Sequence, residues 1–142
     1  VVPPNVTRET WLEEADLGPL AALGGWRARL ALHFVRYMMA SYRRLGRPAQ
    51  CVLHDPLSAG VCLDPDLVTT ERLCVDVEIR GELTSGMTVA DRRPSPAKPP
   101  LVDVALAVDA GRFRAEFLDA LVRWAAQDES AAQEPQSLPL AA

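Results

Sequence analysis

The 142 residues are 49% hydrophobic and 24% charged, the balance of a folded, water-soluble domain and not of a disordered segment. A net charge of -4 offers no basic face to nucleic acid or to an anionic membrane surface. No apolar run approaches the roughly 20 residues that cross a bilayer, so neither a nucleic-acid nor a membrane partner is expected. Cys51, Cys62 and Cys74 form an odd set, too sparse for a secreted disulfide scaffold, and reduced thiols in a cytoplasmic protein are the expectation.

Val1-Val2-Pro3-Pro4 reads as the end of an extended segment, because proline has no N–H for a sheet ladder. A loop is expected next. Thr10-Trp11-Leu12-Glu13 has capping-box spacing and predicts a helix start, Asp16 offers a second cap, and Gly24-Gly25 stops the following turn. The chain starts at Val1 with no initiator methionine, which suggests a piece of a longer polypeptide.

From Trp26 to Leu45 the residues Trp26, Leu30, Phe34, Tyr37, Met38, Tyr42 and Leu45 recur at steps of three and four, predicting a long helix with this stripe turned to a core. His33 lies beside the stripe and is given no role. Arginines 27, 29, 36, 43 and 44 suit the wet side of the same helix. Gly46-Arg47-Pro48 ends it.

"CVLHDPLSAG", from Cys51 to Gly60, sets His54 and Asp55 side by side. A helix starting at Asp55 or Pro56 accounts for the aspartate as a cap and for the proline as an N1 residue. On these grounds His54 is either an imidazole packed at a loop-to-helix junction or a catalytic group. A zinc site from Cys51, His54 and Cys62 lacks a C-x-x-C pair and is disfavoured. Asp64-Pro65-Asp66 reads as a turn with one further cap.

Between Val75 and Arg80 apolar and charged residues alternate with period two, predicting a half-buried strand, with Met87-Thr88-Val89 as its hairpin return. The proline-rich run from Arg92 to Pro100 reads as a surface excursion. Leu101–Val108 reads as a buried strand leading into an amphipathic helix capped by Asp109, hence an α/β layering. Gln127 onward offers no packing face, so residues 127–142 are expected to be a disordered tail beyond a folded portion of residues 1–126.

The stretch "LHDPLSAGVCLDPDLVTTERLCVDVEIRGELTSGMTVADRR", together with "VVPPNVT" before it and "VDVALAVDAGRFRAEFLDAL" after it, resembles the C-terminal region of the inosine-uridine preferring nucleoside hydrolase family. The distinctive element is a His-Asp-Pro triplet followed by D-V-E-x-x-G-E-L-T-x-G-x-T-x-x-D. The resemblance implies an α/β fold, here the C-terminal part of a mostly parallel sheet flanked by helices, with a β-hairpin. It also implies hydrolysis of the N-glycosidic bond of ribonucleosides to ribose and free base, with Ca2+ bound at the ribose, and homo-oligomers when the protein is complete. Carried over by position, Asp55 is a calcium ligand, while His54 contacts the base and gives it a proton as it leaves.

Tyr42 lies where some family members place an aromatic residue against the base, although membership of the apolar stripe explains it equally well. Met38 stands where some members have a second tyrosine, and Asn5 where aspartate is frequent. The family's N-terminal cluster D-x-D-x-x-x-D-D, which supplies the other calcium carboxylates and the base that activates water, does not occur in the sequence. Neither do its ribose-contacting asparagines and glutamate. The chain is thus expected to act as part of a longer or complemented enzyme on a small-molecule nucleoside; the alternative is a non-catalytic remnant, or a nucleoside-binding or interaction module.

Overall fold

A computed structural model describes residues 1–96 and 98–127. The predicted tail lies, apart from Gln127, outside the described residues. The chain divides into two compact units, one of Val1–Thr10 with His54–Ala110, the other of Trp11–Leu53 with the segment from Gly111.

The first unit is built on a three-stranded sheet in the order β4-β3-β5, with β3 Val68–Val77, β4 Thr88–Asp91 and β5 Val102–Val108. Valine and threonine at residues 68–70 start β3 seven residues before the predicted strand, since their branched Cβ atoms suit the pleat. The strand ends where Glu78 folds its carboxylate back onto the N–H groups of Arg80 and Gly81, at 2.6 and 3.0 Å. β4 returns antiparallel, pairing Cys74 with Asp91 and Val77 with Thr88, as a hairpin with a long loop. β5 also runs antiparallel to β3, and its register moves from Thr69↔Ala107 to Thr70↔Ala105. Leu106 is the extra residue of this bulge.

The α/β class and the hairpin agree with expectation, whereas the described strands pair only antiparallel. Parallel neighbours require crossover connections, and β3 and β4 are joined instead by a hairpin loop. β5 departs from the buried strand predicted for it: of its seven residues only Ala105 is fully covered, and Leu106 is 41% exposed. A run of valines and leucines fits a one-sided strand as readily as a two-sided one when the face is not marked by charges.

Two helices complete this unit. α1, Pro4–Thr7, is one turn with proline at its first position, where the missing N–H costs nothing. It replaces the predicted loop. Val1 extends the sheet edge, its carbonyl accepting from the Ala105 N–H at 2.9 Å. α4, His54–Leu63, buries Leu57 completely, and is followed by a 3-10 turn in which Asp64 accepts the Asp66 N–H at 3.1 Å, the cap expected there.

In the second unit a two-residue ladder joins β1, Trp11–Leu12, to β2, Cys51–Val52. The capping box predicted at Thr10 forms three residues later: the Glu13 N–H donates to Asp16 at 2.9 Å, and Glu13 receives the return bond. Thr10 is unavailable because its hydroxyl donates to the Thr7 carbonyl at 2.9 Å. After α2, Gly18–Ala21, the left-handed Gly24 (φ 71°) turns the chain into α3, Trp26–Arg44, and Gly46 (φ 69°) follows its end.

α3 has two apolar faces. The covered one is Ala28, Leu32, Val35 and Met39; the predicted stripe carries instead the exposed Leu30, Phe34, Tyr37 and Leu45. Both sets recur at steps of three and four, so periodicity cannot rank them, and side-chain size points to the wrong one. α5, Ala110–Ala126, meets α3 at its end: Trp26 and Trp124 pack edge to face with centroids 6.3 Å apart. The Arg27 guanidinium lies over both rings and donates to the Trp124 carbonyl at 3.1 Å, a packing use for an arginine that charge patterning alone assigns to water.

Candidate active site

α4 starts at His54, one residue ahead of the predicted start. That small shift changes the role of Asp55. It stands inside the first turn and not at the cap, and its carboxylate makes no hydrogen bond or ion pair among the described residues. Capping is the competing explanation of this aspartate, and the geometry removes it. Proline at position 56 holds the turn by its fixed φ, and a carboxylate in the first turn faces the positive end of the helix dipole. Asp55 is exposed to solvent.

His54 is half-buried. Its carbonyl accepts the Ser58 hydroxyl at 3.1 Å, and its Nδ1 lies 2.6 Å from Thr7 Oγ1. Thr7 is almost fully covered, at 3% exposure, and is anchored in turn: its Oγ1 is 3.4 Å from the Pro4 carbonyl and its own carbonyl accepts from Thr10. The ring is therefore held on its Nδ1 side. Nε2 has no partner among the described residues. On a helix, adjacent residues leave the axis about 100° apart, so His54 and Asp55 address different parts of one neighbourhood.

Tyr42 belongs to the other unit, on α3, half-buried with the Arg47 guanidinium 5.8 Å from its ring centroid. His33 is exposed on the same helix. Thr7 escapes sequence reasoning, because nothing in the spacing of residues 47 positions apart signals a contact. Its only trace is its place in "VVPPNVT".

No group of three or more His, Cys, Asp or Glu side chains among the described residues is placed to hold a metal ion. The same finding bears on calcium. That ion takes six to eight oxygens, most from carboxylates and carbonyls, and the described residues bring to this place the single carboxylate of Asp55. Asp55 suits a hard cation as one ligand; the described residues do not make a calcium site by themselves. Cys51, buried in β2, has its thiol pushed above the ordinary value by loss of solvent, which favours the inert protonated form.

The model of the inosine-uridine preferring nucleoside hydrolase family matches residues 1–115. The inosine-uridine preferring nucleoside hydrolase of Crithidia fasciculata is 36% identical over 121 residues, covering 85% of this chain and 35% of that protein. The pyrimidine-specific ribonucleoside hydrolase RihA of Shewanella sp. (strain ANA-3) is 29% identical over 123 residues, with 83% and 36% covered. The solved structure of a purine-preferring ribonucleoside hydrolase from Gardnerella vaginalis superimposes with a TM-score of 0.78 at 28% identity, covering 89% of this chain and 40% of that one. The chain thus spans little more than a third of the length of these curated relatives. With a family model over most of its residues, and with the His-Asp-Pro turn standing at the head of α4, the chain belongs to the inosine-uridine preferring nucleoside hydrolase family.

Proposed function

We propose that the chain supplies the His-Asp side of a ribonucleoside N-ribohydrolase site, with the rest of the site contributed by a part of the enzyme that these residues do not include. One observation carries this reading: Asp55 is exposed, and its carboxylate has no partner among the described residues, next to a half-buried His54, although helix capping offered it an ordinary occupation.

Cleavage of the glycosidic bond leaves an oxocarbenium-like ribosyl group, and the bonding pair departs with the base. A proton delivered to the base nitrogen offsets the charge that develops there. His54 is assigned that transfer: the Nε2–H proton passes to the base, the C–N pair stays on the base, and a neutral imidazole remains. Asp55 is assigned as one carboxylate ligand of a calcium ion, which when bound orients ribose hydroxyls and water.

The test is reconstitution. The chain is combined with the N-terminal portion of the Crithidia fasciculata relative that it does not cover, calcium is added, and ribose release from inosine and uridine is measured. Release that depends on both parts supports the reading, and its absence in a folded complex rejects it. A second reading, a nucleoside-binding module without catalysis, draws on the lack of a clustered metal site among the described residues. It predicts calorimetric heat on adding nucleoside to the chain alone, with no ribose released under any combination.

A further inference from the structure

We propose that Thr7 is a positioning residue for His54: its hydroxyl accepts the Nδ1–H of the ring, which fixes the ring's orientation and sets the neutral imidazole in the Nδ1–H tautomer, with the Nε2 lone pair on the side away from Thr7. This rests on the reading of His54 as the group that protonates the leaving base, and adds what the chain itself does to prepare that group.

Hydrogen-bond capacity decides between two arrangements. The Thr7 hydroxyl has one proton, and two acceptors lie near its oxygen: Nδ1 of His54 at 2.6 Å and the Pro4 carbonyl at 3.4 Å. If the hydroxyl donates to the imidazole, the Pro4 contact is lost and the oxygen's lone pairs go unused within a side chain that is only 3% exposed. If the ring donates, the oxygen accepts Nδ1–H and sends its own proton to Pro4, so both contacts are hydrogen bonds at once. A buried hydroxyl favours the arrangement that uses more of its capacity.

The charged ring admits only this second arrangement, since imidazolium has no lone pair to accept with. The Thr7 bond therefore fixes the orientation of the ring and leaves Nε2 as the nitrogen not committed to Thr7. A histidine's reactive nitrogen is commonly set by the bond that its other nitrogen makes. Here the partner comes from α1, anchored through Pro4 and Thr10.

The experiment reads the tautomer directly. The 142-residue chain is labelled with 15N, and the imidazole nitrogens are recorded by multiple-bond 1H–15N correlation over a series of rising pH, the tautomer being read where the imidazole shifts no longer change. A His33→Asn variant separates the two histidines. His54 is expected mainly as the Nδ1–H form, against the Nε2–H preference of an unconstrained ring. Thr7→Val should turn that majority into a minority, and Thr7→Ser should keep it. An Nε2–H majority in the unmodified chain overturns the proposal without recourse to a variant, as does a Thr7→Val spectrum unchanged at His54. Neither readout needs substrate, calcium or turnover, so a failed reconstitution would count against the ribohydrolase reading alone.

Discussion

Phe34 and Val35 are neighbours on α3 with opposite surroundings: Val35 is 7% exposed and Phe34 is 65% exposed. The face through Ala28, Leu32, Val35 and Met39 carries the helix's covered contacts, and the more bulky face does not. Val35→Ala should therefore cost about 1–3 kcal/mol through lost burial and the cavity left behind. Phe34→Ala should change stability by no more than about 0.5 kcal/mol. Urea unfolding of the two variants checks the assignment, and a larger loss at Phe34 would reverse it.

Cysteine reactivity should divide the three thiols. Cys62 is exposed, whereas Cys51 and Cys74 are buried. A maleimide at near-neutral pH should modify one thiol per native chain, and Cys62→Ser should abolish the reaction. Burial holds the Cys51 thiol above its ordinary value, so its thiolate fraction, and any labelling of it, should rise only at still higher pH or on unfolding. Rapid modification of Cys51 in the native chain would show that β2 is not covered.

Two glycines separate backbone need from mere small size. Gly46 has φ 69° with open space where a methyl group would sit, and Gly18 has ordinary helical angles with the same open space. Gly46→Ala should destabilise by about 1–2 kcal/mol, because an L side chain strains the left-handed region. Gly18→Ala should be neutral, or stabilise by up to about 1 kcal/mol through reduced freedom of the unfolded chain. Thermal unfolding midpoints moving in the same direction for both would contradict this.

Glu14 and Arg36 form an exposed pair, with Arg36 Nη2 2.5 Å from Glu14 Oε1. The hydrogen bond from Arg36 holds the Glu14 carboxyl below its ordinary value. A depressed carboxyl contributes stability that is complete above the unfolded-state value and is lost as pH falls through the folded one. The contribution is small at such a surface site. Carboxyl NMR should show Glu14 moving up toward the ordinary glutamate range in Arg36→Gln, and an unmoved titration would mean that the pair does not persist in solution.

What the sequence disclosed, and what it hid, follows from the range of each signal. Local chemistry was legible: the stops at Gly24 and Gly46, the Asp64 turn, the β3–β4 hairpin and the existence of α3 all depend on residues close in sequence. The partner of each face was not. α3 has two apolar stripes of equal period, and only packing tells them apart. Thr10 has the right spacing to cap, but a bond to the Thr7 carbonyl takes its hydroxyl. At the site, the His-Asp-Pro turn is visible as a motif, while the place of Asp55 inside the first turn of α4 follows from a helix start one residue early, and the Thr7–His54 bond emerges only when α1 and α4 are brought together.

The leaving-group role of His54 is tested most directly in the reconstituted enzyme, by comparing His54→Ala on a purine ribonucleoside and on an aryl riboside whose leaving group needs no proton. Loss of general-acid assistance should lower turnover of the purine ribonucleoside by about 10²–10⁴-fold and leave the aryl riboside nearly unchanged. Equal losses on the two substrates would contradict that role.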